Sequence, residues 1–182
     1  MKVKIKEKKC KNCKGRFQPK RPLQVVCSPI CAIEYAKLLE EKKQDKEWKI
    51  RKKEGLEKLK TLGQYEIEAR REFQKWIRWR DREQPCISCG TKDSSYWDAG
   101  HYFKAELYTG LIFNEDNCHK QCVYCNQHLH GNESNYRIGL VKRIGEARVR
   151  WLEGNKDRLR VYKYTKEQLL EIKEEYKNRL KS

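Results

Sequence analysis

Cys86-Ile-Ser-Cys89, Trp97-Asp-Ala-Gly-His101 and Asn117-Cys-His-Lys-Gln-Cys122-Val-Tyr-Cys125-Asn126 form the stretch that decides how this chain folds. Two Cys-x2-Cys pairs separated by a longer loop have the spacing of a tetrahedral Zn²⁺ site. Each pair places two sulfurs on one turn of backbone, and the second pair closes the tetrahedron. Working outward, Cys10-x2-Cys13 with Cys27-x3-Cys31 repeats the pattern near the N-terminus, so eight of the nine cysteines fall into two quartets. A disulfide framework is the competing use of such cysteines, and it needs an oxidising compartment. The opening run Met1-Lys-Val-Lys-Ile-Lys-Glu-Lys-Lys has no apolar core of the kind that directs export. Zinc is therefore expected at both quartets and a cytoplasmic location for the chain. Cys118 is left over and reads as an ordinary buried thiol.

Composition explains why a metal is needed. Of the 182 residues, 38% are charged and only 37% hydrophobic, against about 25% and 45–50% in an average domain. Structural zinc offsets so thin a core, contributing about 10–16 kcal/mol of apparent metal binding in zinc-finger peptides. No apolar run approaches the ~20 residues of a spanning helix, which excludes a membrane-spanning chain and leaves no membrane partner to expect. The formal net charge is +17, and two Zn²⁺ ions on eight thiolates bring it to about +13. That charge is skewed. Residues 1–36 hold ten basic and two acidic side chains; residues 1–84 hold 26 and 13, and residues 85–182 hold 17 and 13. An excess of this size in one half points to nucleic-acid phosphates, bound with a steep salt dependence.

The chain reads as four segments: a four-cysteine zinc finger at 1–36, a long basic helical segment at 37–84, a zinc-framed module at 85–132, and a C-terminal helical region at 133–182. Ser28 is an N-cap and Pro29 the first helical residue, placing Cys31 on the first turn. Knuckle, hairpin and helix make the finger treble-clef-like. From Ala32 to about Arg82 one long polar helical stretch is expected, with Gly55 and Gly63 as its only interruptions. Its charged first part reads as a solvated spacer; contact with DNA or dimer formation are the alternatives. Ala69, Phe73, Trp76 and Ile77 form a stripe at i, i+4, i+7, i+8, expected to pack on the module that follows. Beyond it, Tyr136, Leu140, Val141 and Ile144 form a second stripe, which Gly145 breaks before Val149, Trp151 and Leu152. Thr165-x-x-Gln168 is a capping box that opens a last helix through Leu169, Ile172, Tyr176 and Leu180. The expected class is a small, zinc-stabilised α+β fold.

A His between two Cys-x2-Cys knuckles, an Asn five residues before the third Cys and an Asn directly after the fourth resemble the HNH (ββα-metal) nuclease motif, in its recombination endonuclease VII branch. The whole chain resembles the phage NinG (Rap) family of recombination proteins. That resemblance rests on Cys10-x2-Cys13…Cys27-Ser-Pro-x-Cys31-Ala, Arg80-Asp-x4-Cys86-Ile-Ser-Cys89-Gly, Asp98-Ala-Gly-His101, and Asn117-x-His-x-Gln-Cys122-x2-Cys125-Asn126…Gly131-Asn132. It implies an HNH module in 85–132 and a hydrolase that cuts branched recombination intermediates, Holliday junctions and D-loops, in the cytoplasm of a bacterial host.

Phosphodiester hydrolysis needs a base for water and a cation at the leaving oxygen. His101, with an ordinary pKa of about 6.5, suits the first task. Asn117 would hold the intervening loop through backbone contacts. Asn126 would offer a carbonyl oxygen to Mg²⁺, a hard, partly hydrated cation separate from the structural zinc. Relatives with this layout commonly carry an acidic residue directly before the His, where this chain has Gly100. Asp98 is the nearest substitute as a Mg²⁺ ligand, and Asp116 the second. His119, His128 and His130 are accessory candidates that also fit a packing role. Two copies would be needed to cut opposing strands of one junction, so a homodimer is expected. The competing reading is a non-catalytic double zinc-finger protein that binds nucleic acid, with the motif kept as scaffold.

Overall fold

The computed structural model describes residues 6–181; residues 1–5, where the basic N-terminal run starts, and Ser182 lie outside the described residues. The protein is a small mixed α/β chain of two units, Met1–Lys60 and Thr61–Ser182.

In the first unit a short antiparallel hairpin, β1 (Lys8–Lys9) with β2 (Arg16–Phe17), precedes helix α1 (Pro29–Lys58). Ser28 is extended and its hydroxyl accepts the Cys31 N–H at 3.2 Å, while Pro29 opens the helix without losing a donor. This start places Cys31 on the first turn, and Cys31 is the one residue α1 buries. Ile30, Ile33, Leu39, Trp48, Ile50 and Leu56 are all exposed, because they are scattered around the helix instead of lining one face. The helical stretch breaks in a different place from the one expected. Gly55 lies inside α1 and Gly63 inside α2 (Leu62–Arg80); the interruption is at Leu59-Lys60-Thr61. Thr61 is extended, and its backbone N–H donates to Gln64 Oε1 at 2.8 Å, so a new helix starts there. Glycine weakens a helix by only about 1 kcal/mol, and a cap outweighs it.

The second unit is built on one antiparallel pair, β3 (Trp97–His101) with β4 (Cys118–Cys122), in which His101 faces Cys118 and Gly100 faces His119. Side chains alternate across a strand, so one face of the pair carries Ala99, His101 and Cys118. This face packs on Phe73, Trp76 and Ile77 of α2 and on Tyr176 of α5 (Lys166–Arg179). On the other face, Tyr136 of α3 (Glu133–Ile144) donates its hydroxyl to the Gly100 carbonyl at 2.8 Å. Tyr136 and Leu140 join Val149 and Leu152 of α4 (Glu146–Asn155) in a core with Ile87, Tyr102, Phe103 and Leu111. Gly145, at φ +85°, separates the two helices. Trp151 departs from the expected stripe and is 49% exposed. Two residues beyond Val149, it lies about 200° around the helix and so faces away from the core. The Thr165 capping box forms, with Gln168 N–H on the Thr165 hydroxyl and Thr165 N–H on Gln168 Oε1. Among the described residues no helix is long and apolar enough to cross a membrane.

Asp81, at the end of α2, ties this unit together. It is 4% exposed and accepts hydrogen bonds from Arg80 at 2.7 and 2.9 Å and from the Lys120 backbone N–H at 3.0 Å, with Arg143 at 3.5 Å. Arg80 in turn donates to the carbonyls of Glu115 and Cys118. Burial works upward on the Asp81 carboxyl, but His119, Arg80 and the Lys120 amide outweigh it and hold it well below the usual carboxylate range. Its contribution is therefore complete above the unfolded pKa of about 3.9 and fades only as acid protonates the folded carboxylate. Asp81→Ala strands Arg80 and Arg143 with no counter-charge and is expected to cost about 3–5 kcal/mol of stability. Urea denaturation at pH 7 measures this; a loss under about 1 kcal/mol would show that the network is dispensable.

Candidate active site and metal centres

Both cysteine quartets assemble. In Cys10, Cys13, Cys27, Cys31 and in Cys86, Cys89, Cys122, Cys125 every sulfur lies within 4.8 Å of the other three. The Cys13–Cys27, Cys27–Cys31 and Cys89–Cys122 sulfurs are 3.6, 3.5 and 3.7 Å apart. Sulfurs on a tetrahedron with Zn–S of about 2.3 Å lie about 3.8 Å apart, whereas a disulfide needs about 2.05 Å. Four sulfurs at this spacing fit Zn²⁺, and both clusters could bind it. At Cys86 the backbone favours the thiolate as well. Burial pushes the Cys86 thiol up, but N–H groups of Cys122, Cys89 and Ser88 overcome this and bring it down to about 7. Cys118 lies outside the clusters and is fully buried, which pushes its thiol far up.

A cavity of about 360 Å³ is lined by Arg70 and Gln74 of α2, His101 of β3, Glu106, Asn126, which follows the cluster cysteine Cys125, and His130, among others. The ring of His101 is held at one end, with Nε2 3.0 Å from the Ile112 carbonyl. A carbonyl only accepts, so Nε2 carries the proton and Nδ1 is the basic nitrogen. Burial, reinforced by the charge of Arg70, holds the ring below the ordinary imidazole pKa, so it is neutral at pH 7.

Asn126 stands one residue past Cys125 on a five-residue π-helical turn, Tyr124–His128. The turn ends at Leu129, where His130, Gly131 and Asn132 all take positive φ and turn the chain toward α3. The Asn126 Nδ2 donates to Asp98 Oδ2 at 2.8 Å, and Gln127 adds a second bond at 3.0 Å. A carboxylate accepts only, so the Asn126 carbonyl oxygen is the end of the amide left for a cation. Asp98, three residues before His101, projects from the opposite face of β3 and is not among the residues lining the cavity.

The other candidates lie elsewhere. Asn117 is fully buried and staples the loop after β3: its Oδ1 accepts the Phe103 N–H at 2.8 Å, and its Nδ2 donates to the Phe103 and Leu111 carbonyls. His119 is buried beside Asp81, 2.8 Å from Arg80 and 3.2 Å from the Asp116 carbonyl, in a separate cavity with Arg143. Asp116 pairs with Arg148. His128 contacts the Tyr124 ring.

Gly100 has a packing reason. A Cβ there would overlap the side chain of Gln121, which is fully buried and donates to the Ser88 hydroxyl and the Gly131 carbonyl, both at 2.7 Å. Those two bonds tie the Cys86–Cys89 knuckle to the segment just past the π turn, so an acidic residue at 100 would have to displace them. Arg70, Glu106 and Glu133 were not legible as site residues; they come from segments outside the motif and are joined to it only by folding.

A family model described as "Bacteriophage Lambda NinG protein" matches residues 2–182. The chain is 39% identical to the protein ninG of Escherichia phage lambda, over all of this chain and 95% of that one. It is likewise 39% identical to the protein ninG of Salmonella phage P22, over 98% of this chain and 95% of the other, and 38% identical to that of Escherichia phage 933W, over 96% and 92%. No solved structure matches the chain.

Proposed function

The chain belongs to the NinG family of phage proteins, and from there we propose that it is a Mg²⁺-dependent endonuclease for branched recombination DNA, built on an HNH-like ββα-metal module with a treble-clef-like finger before it. The observation that carries this reading is one cavity holding a neutral imidazole, His101, and a side-chain amide, Asn126, beside a four-cysteine cluster. The Asn126 carbonyl oxygen and the Glu133 carboxylate are hard oxygen donors on that wall, the kind Mg²⁺ prefers, and they would hold it. Bound there, Mg²⁺ supplies Lewis-acid stabilisation of the leaving oxygen. The protein's own residues do the rest. His101 Nδ1 takes the proton of the attacking water, Ile112 keeps the ring in the required tautomer, and Asp98 turns the amide of Asn126 so that oxygen, not nitrogen, meets the cation. Asn117 and the zinc cluster keep strand, loop and turn in register. The finger and the basic N-terminal half neutralise DNA phosphates, and two copies acting on one junction would cut opposing strands.

The test is incubation with a four-way junction and a matched linear duplex, in Mg²⁺ and in EDTA. The expected outcome is Mg²⁺-dependent nicking of the junction in preference to the duplex. A mobility shift with no scission would overturn the enzyme reading in favour of a zinc-finger binding protein, which Gly100 would then suit.

A further inference from the structure

Arg70 reaches the cavity from α2, a helix outside the cysteine-histidine motif, and its guanidinium is taken by a carboxylate. Arg70 Nη2 is 3.4 Å from Glu106 Oε1, while Glu66, one turn earlier on α2, is 3.8 Å away. Arg70 is only 28% exposed and Glu106 is 71% exposed, so the pair consists of a placed cation and an open, movable anion. Both line the cavity that holds His101 and Asn126. A carboxylate oxygen on a guanidinium stands where a phosphate oxygen would sit, since Arg recognises both groups with the same fork of N–H donors.

We propose that Arg70 receives a DNA phosphate at this cavity and that Glu106 is its built-in competitor, holding the guanidinium until a phosphodiester displaces the carboxylate. The proposal deepens the nuclease reading and rests on it for the identity of the anion. Free protein thus keeps its phosphate-binding cation neutralised, and only an anion that can enter the cavity releases it. The exchange is favourable because Glu106 is solvated at the rim and regains water when it leaves, so little is lost in breaking an exposed ion pair.

The experiment is a binding cycle in EDTA, where no strand is cut, using anisotropy of a fluorescein-labelled four-way junction over a range of salt. Wild type, E106Q, R70Q and the double variant are compared, with circular dichroism to confirm folding. E106Q is expected to bind about two- to five-fold tighter. R70Q is expected to weaken binding and to reduce the slope of log K against log salt by about one. In the R70Q background the gain from E106Q should vanish. If the same gain survives there, Glu106 acts only as a negative charge and the proposal is wrong; it is equally wrong if neither single variant alters binding. Should R70Q not fold, R70K replaces it: a point charge without the fork should lose most of the coupling to Glu106, and full coupling would overturn the proposal. If the cycle closes as expected while wild type leaves the junction uncut in Mg²⁺, the nuclease reading falls and the phosphate site stands. Cutting by wild type with a failed cycle gives the reverse.

Discussion

Replacing His101 with Ala is expected to lower the rate of Mg²⁺-dependent junction cleavage by roughly 10²–10⁴-fold, the usual contribution of a general base. Binding to the junction in EDTA should stay within about two-fold of wild type, because the ring carries no charge at pH 7 and so contributes little to phosphate affinity. The pH profile provides a second check. Burial and Arg70 hold the ring below the ordinary value of about 6.5, and the active form is the neutral one. Rate should therefore be level at and above pH 7 and fall only as pH drops through the lowered pKa. An acid limb above pH 7, or equal cleavage by the Ala variant, would remove His101 from the mechanism.

Removing zinc should have the largest effect on stability. Each four-cysteine cluster is expected to contribute on the order of 10 kcal/mol in apparent metal binding, as much as the entire stability of a typical domain at about 5–15 kcal/mol. Cys122→Ser and Cys27→Ser should each release one of two zinc equivalents, measured by a colorimetric chelator, and each should abolish the cooperative melt of its own unit. Retention of both equivalents, or an unchanged melting temperature after exhaustive chelation, would show that the sulfurs hold no structural metal. Cys118→Ser makes a useful control. That thiol sits apart from both clusters in the core packed around Phe73 and Tyr176, so metal content should not change.

The Asn126–Asp98 contact shows how far spacing arguments reach. Asp98 and His101 are three apart on a strand, and alternation alone puts them on opposite faces. That makes Asp98 a poor direct partner for whatever His101 faces, which corrects its reading as the nearest Mg²⁺ ligand. What alternation does not supply is the amide that bridges the two faces. Asn126 reaches Asp98 because the π turn carries it past the end of the strand pair. The break at residues 59–61 was legible too. Thr61-x-x-Gln64 has the same capping pattern as Thr165-x-x-Gln168, and this cap, not the nearby glycines, sets where the helix restarts.

By itself the amino-acid sequence determined the two four-cysteine clusters, the N-caps at Ser28 and Thr165, and the helix stripes that bury Phe73, Ile77, Tyr136 and Leu140. All of these depend on chemistry within a few residues or on a periodicity the chain repeats along its own length. Tertiary structure alone decided the rest: that Gln121 fills the space beside Gly100, that Asp81 is buried against Lys120 and Arg143, and that Arg70 and Glu106 share a cavity with His101. These pairings join segments far apart in the chain. No local preference encodes them, because each exists only once folding has brought its two segments together.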